Sequence, residues 1–290
     1  MVVIAVLTVS GCASAAALTV LYTNDLHLCF DRLDSLQERI VQERDAADGG
    51  VLLLDAGDAL HDFRRATAAV SGADEMVAWM NDVAYDAMAV GNHDLYWGSN
   101  SLEALASAAR FPFLCANLVP CAGVAAPFVD CTVVDRTDVR VLVIGLITSE
   151  LLPYAEYPWL SWADPTEAIR AVLGETGDGM DVTIVLCHLP VDRAARLAEQ
   201  FPEVNLFISG HSHEVTPDPV LVNGAAVVQA GAFGRYLGRL RLEVETNGTV
   251  LLVEHTLLDT EETPARELRG LGRLLCVTAI MLATLALVLF

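Results

Sequence analysis

The sequence predicts a single domain of the α/β class, in which helices cover layered β-sheets. The chain has 290 residues, of which 54% are hydrophobic and 19% charged, so it is long and apolar enough to bury a large core. Short β-rich apolar runs alternate with segments whose apolar residues recur at three- and four-residue spacing. No long linker and no internal repeat interrupts residues 17–259, which we assign to one domain.

Strands and helices alternate along the chain before Val220. The β-rich apolar runs predict strands over residues 18–22, 51–54, 84–90, 139–147, 182–186 and 206–209. The helical spacing predicts helices over residues 33–44, 74–81, 102–110, 165–173 and 191–200. After Val220 the pattern changes to consecutive strands, over residues 225–229, 237–244 and 250–258. This order of elements is typical of an α/β layered fold.

The charge balance excludes one large class of partners. The 17 basic residues are all Arg, since the chain contains no Lys, and 38 Asp and Glu residues bring the net charge to -21. A surface this acidic repels phosphate backbones, so we expect no nucleic-acid partner. An anionic substrate would need a strongly positive group in the site, and a bound metal ion could supply it.

The N-terminal end has the pattern of an export signal. Residues 1–9 are almost wholly apolar, and Ala13 to Ala15 form an Ala-x-Ala cleavage pattern, so residues 1–16 are predicted to be a signal segment. Lipidation of Cys12 is an alternative, because the preceding residues resemble a bacterial lipobox. A hydrophobic first strand is a second alternative.

The C-terminal end predicts attachment to a membrane. Residues 274–290 carry no charge, and 17 residues is the bottom of the range needed to span a bilayer. They are predicted to be a membrane segment, joined to the domain by a linker over residues 260–273. With an export signal, the domain would face the extracellular or periplasmic side. Arg266, Arg269 and Arg273 favour the alternative of a tail-anchored domain that faces the cytosol.

Polar motifs follow the predicted strands at the points where the strands end. Their metal-binding residue types are Asp25 and His27, Asp58, Asn92 and His93, His188, and His211 and His213. In open α/β sheets, ligands bind beyond the carboxyl ends of the strands, so these side chains should converge. Residues two apart, such as Asp25 and His27, should point to one side if extended geometry continues past the strand. His61 and His255 lack this context and are interpreted as surface or loop residues.

These residue types together indicate a metal site. A cluster of Asp, Asn and neutral His suits first-row transition metals rather than calcium or a thiolate cage. The five motifs in this order resemble those of the calcineurin-like metallophosphoesterases, and among them the catalytic domain of secreted 5'-nucleotidases. The resemblance runs from about residue 18 to 258 and includes residues 111–117 and 228–235. It implies a four-layer α/β/β/α sandwich.

The resemblance also implies two divalent metal ions, Mn, Zn or Fe. The first would be bound by Asp25, His27, Asp58 and His213, and the second by Asp58, Asn92, His188 and His211, with Asp58 bridging. Such a pair can clamp the phosphoryl group of a small phosphate ester and activate a water without a covalent intermediate. His93 would be the catalytic residue that faces the leaving group and protonates it or stabilises the phosphoryl charge. The implied function is hydrolysis of phosphate monoesters, as in the 5'-nucleotidases.

Two departures from the family pattern keep alternatives open. In those nucleotidases an Asp three residues after the His of the Gly-Asn-His motif orients its ring, whereas here that position is Tyr96. They also carry a second, nucleoside-binding domain, whereas only about 30 residues follow the last predicted strand here. A phosphodiesterase or broad-specificity phosphatase is therefore one alternative. A catalytically weak metal-binding surface protein is another.

Overall fold

A computed structural model describes residues 16–64, 70–121, 126–149 and 159–261. Five α-helices lie in these ranges, which are α1 Leu33–Ala46, α2 Val70–Asp82, α3 Gly98–Ala108, α4 Pro165–Thr176 and α5 Val191–Ala198. The strands are β1 Ala16–Thr23, β2 Gly50–Asp55, β3 Ala87–Ala89, β4 Phe113–Leu114, β5 Leu118–Pro120, β6 Cys131–Arg136, β7 Val139–Ile147, β8 Leu160–Trp162, β9 Val182–His188, β10 Leu206–Ser209, β11 Val220–Val222, β12 Ala225–Val228, β13 Tyr236–Val244 and β14 Val250–Asp259. The predicted membrane segment over residues 274–290 lies outside the described residues, as do residues 1–15 of the predicted signal segment, whose last residue, Ala16, begins β1.

The strands form two six-stranded sheets and a small two-stranded one. The first sheet has the order β14-β13-β1-β2-β3-β4, in which β1 to β4 are parallel and β13 runs antiparallel to β1. The second has the order β11-β12-β10-β9-β7-β6, with β7, β9, β10 and β12 parallel. Strands β5 and β8 pair separately. Parallel neighbours need crossover connections, and α1, α2 and α3 supply them in the first sheet.

The two sheets pack face to face between two layers of helices. In β1, Val20 lies in the core between the sheets, and its neighbour Leu21 packs towards α1 and α2. In β9, Ile184 faces the first sheet and Val185 packs towards α4 and α5. Alternate side chains of a strand point to opposite faces, so strands buried on both faces are continuous apolar runs. The predicted four-layer α/β/β/α sandwich is confirmed.

Local sequence signals set the beginning of at least one helix. Helix α4 begins at Pro165, and the Asp164 side chain before it accepts hydrogen bonds from the backbone N–H groups of Thr166 and Glu167. Proline is favoured in the first helical turn, and a capping Asp satisfies backbone donors that have no partner within the helix. No helix in the described ranges is long and apolar enough to cross a bilayer.

The strand pattern differs from the sequence prediction at several points. The strand predicted over residues 84–90 is shortened to β3, because Ala84 has a φ of 55°, which a strand residue cannot adopt. Short or edge strands were not predicted, namely β4, β5, β6, β8 and β11. Strand β6 escaped prediction because its side chains are half-buried on both faces and show no apolar alternation.

Candidate metal centre

The seven polar residues that end the predicted strands meet at one edge of the sandwich. They come from the ends of both sheets, since Asp25 and Asp58 follow β1 and β2, whereas His188 ends β9 and His211 follows β10. The potential ligand atoms of six of them fall into two groups of three, and within each group the atoms lie within 4.8 Å of one another. The predicted convergence is confirmed.

The first group consists of Asp25, His27 and His213. The Nε2 atom of His213 lies 3.3 Å from Oδ1 of Asp25 and 3.2 Å from Nε2 of His27. The Nε2 atom of His27 lies 3.8 Å from Oδ1 of Asp25. Ligand atoms about 2.1 Å from a metal ion at a tetrahedral angle lie about 3.4 Å apart, so the three atoms have the spacing of a coordination shell.

The second group consists of Asp58, His188 and His211. Oδ2 of Asp58 lies 3.0 Å from Nε2 of His188 and 4.0 Å from Nε2 of His27 in the first group, so this carboxylate lies between the two groups. Asn92 joins the second group, because its Oδ1 lies 2.9 Å from Nδ1 of His211. Apart from this contact with Asp58, the buried Nε2 of His188 has no polar partner in the described part of the chain. A buried nitrogen aimed into this cluster beside a carboxylate fits a metal ligand.

Hydrogen bonds orient two of the histidine rings towards the centre. Nδ1 of His27 lies 2.8 Å from the carbonyl oxygen of His61, and Nδ1 of His188 lies 2.9 Å from that of Ala56. A carbonyl oxygen only accepts, so each Nδ1 carries the proton and donates. In the neutral ring the lone pair is then on Nε2, which faces the centre in both residues.

The charges of the centre are arranged so that a cation can replace a proton. Burial opposes ionisation of Asp58, but the attraction of His188 outweighs it and holds the pKa of Asp58 well below its ordinary value. Burial likewise opposes protonation of His188, but Asp58 raises the pKa of His188 to about 10. Burial lowers the pKa of His27, which favours its neutral form. A metal ion bound between Asp58 and His188 must displace the proton of His188, so its affinity should rise with pH.

The ligand-bearing loops have an unusual backbone. Positive φ angles of 46° to 71° occur at five of the seven converging residues, which are Asp25, His27, Asp58, His211 and His213. Non-glycine residues rarely adopt this left-handed conformation, and it clusters at functional sites because surrounding contacts hold it there. The expectation that extended geometry carries the side chains past the strand ends is therefore wrong. Left-handed turns bring them together.

The family of the protein follows from a comparison with protein-family models. The model of the calcineurin-like phosphoesterases matches residues 18–215, which is more than half of the chain. The chain belongs to the calcineurin-like phosphoesterase family. The resemblance drawn from the five motifs is confirmed.

Relatives match most of this phosphoesterase. The uncharacterized metallophosphoesterase YunD of Bacillus subtilis is 28% identical over 235 residues, which cover 78% of this chain and 50% of YunD. The 5'-nucleotidase of Homo sapiens is 30% identical over 282 residues, which cover 82% of this chain and 48% of the human protein. The chain spans about half the length of these curated relatives.

Solved structures share the fold. A 5'-nucleotidase precursor from Thermus thermophilus matches with a TM-score of 0.70 and 25% identity, over 91% of this chain and 59% of that one. The calcineurin-like phosphoesterase YfkN from Bacillus subtilis matches with a TM-score of 0.73 and 19% identity, over 86% of this chain and 92% of that one.

Asp94 ties two loops of the phosphoesterase site together. Its buried carboxylate accepts backbone hydrogen bonds from Gly91 at 2.8 Å, Asp58 at 2.9 Å and Leu60 at 2.9 Å. The loop after β2 is thereby fastened to the loop after β3. The sequence motifs did not predict the role of Asp94 as an acceptor of loop N–H groups.

The other two histidines correct the sequence interpretation. His61 is 7% exposed, and its ring stacks on Tyr96 with centroids 4.2 Å apart, so it belongs to the wall of the metal centre rather than to the surface. Its place three residues after Asp58 was the signal that could have revealed this. His255 lies in β14, where Nε2 is 2.9 Å from the hydroxyl of Tyr22. It is a half-buried residue of the strand predicted over residues 250–258 and not a loop residue.

His93 lies beside the ligand cluster but outside both groups. Its ring centroid is 5.3 Å from that of His27, and its backbone N–H donates to Oδ1 of Asp58 at 2.7 Å. The ring is half-buried. This placement leaves the imidazole accessible to a molecule that enters the centre. Tyr96, three residues on, is 63% exposed and its ring packs on His61.

Proposed function

We propose that the protein hydrolyses small phosphate monoesters with two divalent metal ions, as a metal-dependent phosphoric ester hydrolase. One observation carries this proposal. Two groups of ligand atoms face each other with the Asp58 carboxylate between them, and the buried Nε2 of His188 points into this cluster, 3.0 Å from Oδ2 of Asp58.

The proposed ligand sets follow the two groups. Asp25, His27, Asp58 and His213 would bind the first ion, and Asp58, Asn92, His188 and His211 would bind the second. When bound, two such ions polarise the phosphoryl group and lower the pKa of a water that attacks it. Mn, Zn and Fe are all compatible with these nitrogen and oxygen donors.

The charge of the loaded centre explains how an acidic chain could attract phosphate. The proposed ligands include two carboxylates, those of Asp25 and Asp58, against four positive charges from two divalent ions. The centre then has a net positive charge, although the whole chain has a formal charge of -21. Close to the ions, their positive field outweighs the field of the acidic surface. The Asp25 and Asp58 side chains are buried away from solvent, and charges interact more strongly there than in water.

We assign catalysis on the leaving-group side to His93. Its half-buried ring is available to a bound ester, and its backbone N–H is bonded to the proposed bridging carboxylate of Asp58, which fixes its position relative to the ions. A protonated imidazole there would donate to the departing oxygen, and it would also stabilise charge on the phosphoryl group.

Nucleotides are the first substrates to test, because relatives include the human 5'-nucleotidase and snake venom 5'-nucleotidases.

The second candidate function is that of a phosphodiesterase or broad-specificity phosphatase. We also propose a location outside the cytoplasm, supported by the venom relatives. The N-terminal residue of the purified natural protein tests it, and intact Met1 would contradict export by a cleaved signal.

The activity test compares three substrates and three variants. Hydrolysis of p-nitrophenyl phosphate, its bis ester and AMP is measured with added manganese, and retained metal is measured by elemental analysis. Asp58→Asn should lose both metal and activity, whereas His93→Ala should retain metal and lose activity. Asp45→Asn, which changes an exposed carboxyl on α1, is the matched control. Equal trace activity in the wild type and all variants would leave the surface-protein alternative.

A further inference from the structure

A row of four aromatic rings runs beside the metal centre. The ring of Tyr96 stacks on His61 with centroids 4.2 Å apart and an interplanar angle of 26°. His61 is nearly parallel to His93, at 5.5 Å and 11°. Phe63 also stacks on His93, at 5.1 Å and 29°. All three distances fall in or near the range of about 4.5–7 Å that is favourable for aromatic pairs.

The two rings that stack on His93 are themselves fastened to the centre. The backbone carbonyl of His61 accepts the hydrogen bond from Nδ1 of His27, and the edge of Trp97 packs on the His61 ring at 5.3 Å. Trp97 is held in turn, because its Nε1–H donates to the carbonyl of Leu60 at 2.9 Å. Phe63 packs edge to face with His27, at 4.9 Å and 84°. His61 and Phe63 thus hold fixed positions relative to His27.

The ring of His93 has no such polar support. Among the described residues, its backbone N–H forms a hydrogen bond, and neither ring nitrogen does. Nδ1 of His61 is also buried without a hydrogen-bond partner in the same part of the chain, so this nitrogen does not bond to His93. Ring packing is what remains to restrict rotation of the imidazole.

We propose that His61 and Phe63 are positioning residues, which hold the His93 ring by stacking in the orientation that serves the leaving group. This inference rests on the proposed function of His93. Tyr96 acts one step further away, because it packs on His61. A hydrogen-bonding partner would fix the ring through a nitrogen atom, whereas stacking leaves both nitrogens available for proton transfer.

The kinetic test uses two substrates that differ in their leaving group. Phenyl phosphate releases a poorer leaving group than p-nitrophenyl phosphate, so its hydrolysis depends more on proton donation. His61→Ala and Phe63→Leu remove one ring each and should lower kcat for phenyl phosphate by about threefold to tenfold, with a smaller loss for p-nitrophenyl phosphate. The conservative variants His61→Phe and Phe63→Tyr keep a ring. In them the ratio of kcat for phenyl phosphate to kcat for p-nitrophenyl phosphate should stay at the wild-type value.

The outcomes separate this inference from the proposed function. His93→Ala is the reference, and it should lower the same ratio further than either single-ring variant. If it leaves the ratio unchanged, the role of His93 fails and the positioning inference falls with it. If His93→Ala lowers the ratio but His61→Ala and Phe63→Leu slow both substrates equally, only the positioning inference is overturned. A ratio as low in His61→Phe as in His61→Ala would also overturn the positioning inference, because His61→Phe retains stacking without ring nitrogens.

A second measurement does not depend on activity. In the NMR spectrum of chelator-treated protein, the signals of the His93 ring protons should be shifted upfield by the ring currents of their neighbours. These signals are assigned by their absence from the spectrum of His93→Ala. His61→Ala and Phe63→Leu should reduce this shift, and His61→Phe and Phe63→Tyr should preserve it. A His93 signal unaffected by loss of either ring would contradict the proposed stacking, provided that the variants give the far-UV circular dichroism of the wild type.

Discussion

Replacement of Asp94 by Asn should destabilise the protein and weaken its metal centre. The buried carboxylate accepts three backbone hydrogen bonds, one through Oδ1 from Leu60 and two through Oδ2 from Gly91 and Asp58. An Asn side chain has a single oxygen. At least one backbone N–H therefore loses its acceptor, and it then faces the amide NH₂ group, which is also a donor.

The magnitude follows from the number of donors left unpaired. A buried N–H without an acceptor costs about 1–3 kcal/mol, so Asp94→Asn should lower the free energy of unfolding by at least that amount. Asp94→Ala leaves all three donors without acceptors and should cost more. For a chain of this size about 1 kcal/mol corresponds to about 2–4 °C in Tm, so the Asn variant should melt about 2–12 °C below the wild type.

The assay is thermal and urea unfolding in the presence of a chelator, which removes the contribution of bound metal. Asp45→Asn is the control, because it makes the same chemical change at an exposed position on α1. A manganese titration should then show weaker binding by Asp94→Asn, since the loop that carries Asp58 has lost an anchor. An Asp94→Asn protein as stable as Asp45→Asn would refute the loop-anchoring role.

Three further predictions test the backbone, the titration and the metal. A Cβ at Gly91 would overlap the carboxylate and backbone nitrogen of Asp58, so Gly91→Ala should unfold in less urea than the wild type. Gly174→Ala on α4 meets no atom within 4 Å and should gain up to about 1 kcal/mol. Burial raises the pKa of Asp55 to about 7, so the folded state keeps a proton that the unfolded state has lost. As the pH rises from about 4 to 7, the free energy of unfolding of the metal-free wild type should fall by up to about 1.4 kcal/mol per pH unit relative to that of Asp55→Asn in urea unfolding. Parallel pH profiles of the two proteins would contradict this. Manganese added to chelator-treated protein should raise Tm. Each site should add about 1.4 kcal/mol to the free energy of unfolding for every tenfold increase in manganese concentration above its Kd, and an unchanged Tm would contradict ion binding.

The sequence was sufficient to predict which residues meet and on what fold. Asp25, Asp58 and His188 each end or follow an apolar run that is buried on both faces. Asp25 and Asp58 follow parallel strands of the first sheet and His188 ends a parallel strand of the second, and parallel strands bring such ends to one edge of each sheet. The same continuous burial made β1 and β9 easy to recognise. Strands such as β6, whose side chains are half-buried, have no comparable signal.

The local geometry of the centre could not be predicted, because it depends on contacts between distant loops. The left-handed φ of 51° at Asp25 and 60° at Asp58 is held by hydrogen bonds such as that from the Asp25 N–H to the Gly57 carbonyl, which join segments far apart in sequence. The roles of Asp94 and His61 have the same origin. Each acts on a residue of another loop. The spacing of His61 from Asp58 indicates that it lies near the centre, but it does not specify which residue of another loop His61 contacts.

The position of β1 in its sheet has a consequence for biosynthesis. This early strand is central, and its neighbour β13, paired at Val20 with Leu240, leaves the ribosome about 200 residues later. Until then one side of β1 has unpaired backbone groups, and such open edges invite association with other chains. A nascent polypeptide interrupted before Tyr236 should therefore remain dependent on chaperones, however complete its helices and remaining strands are.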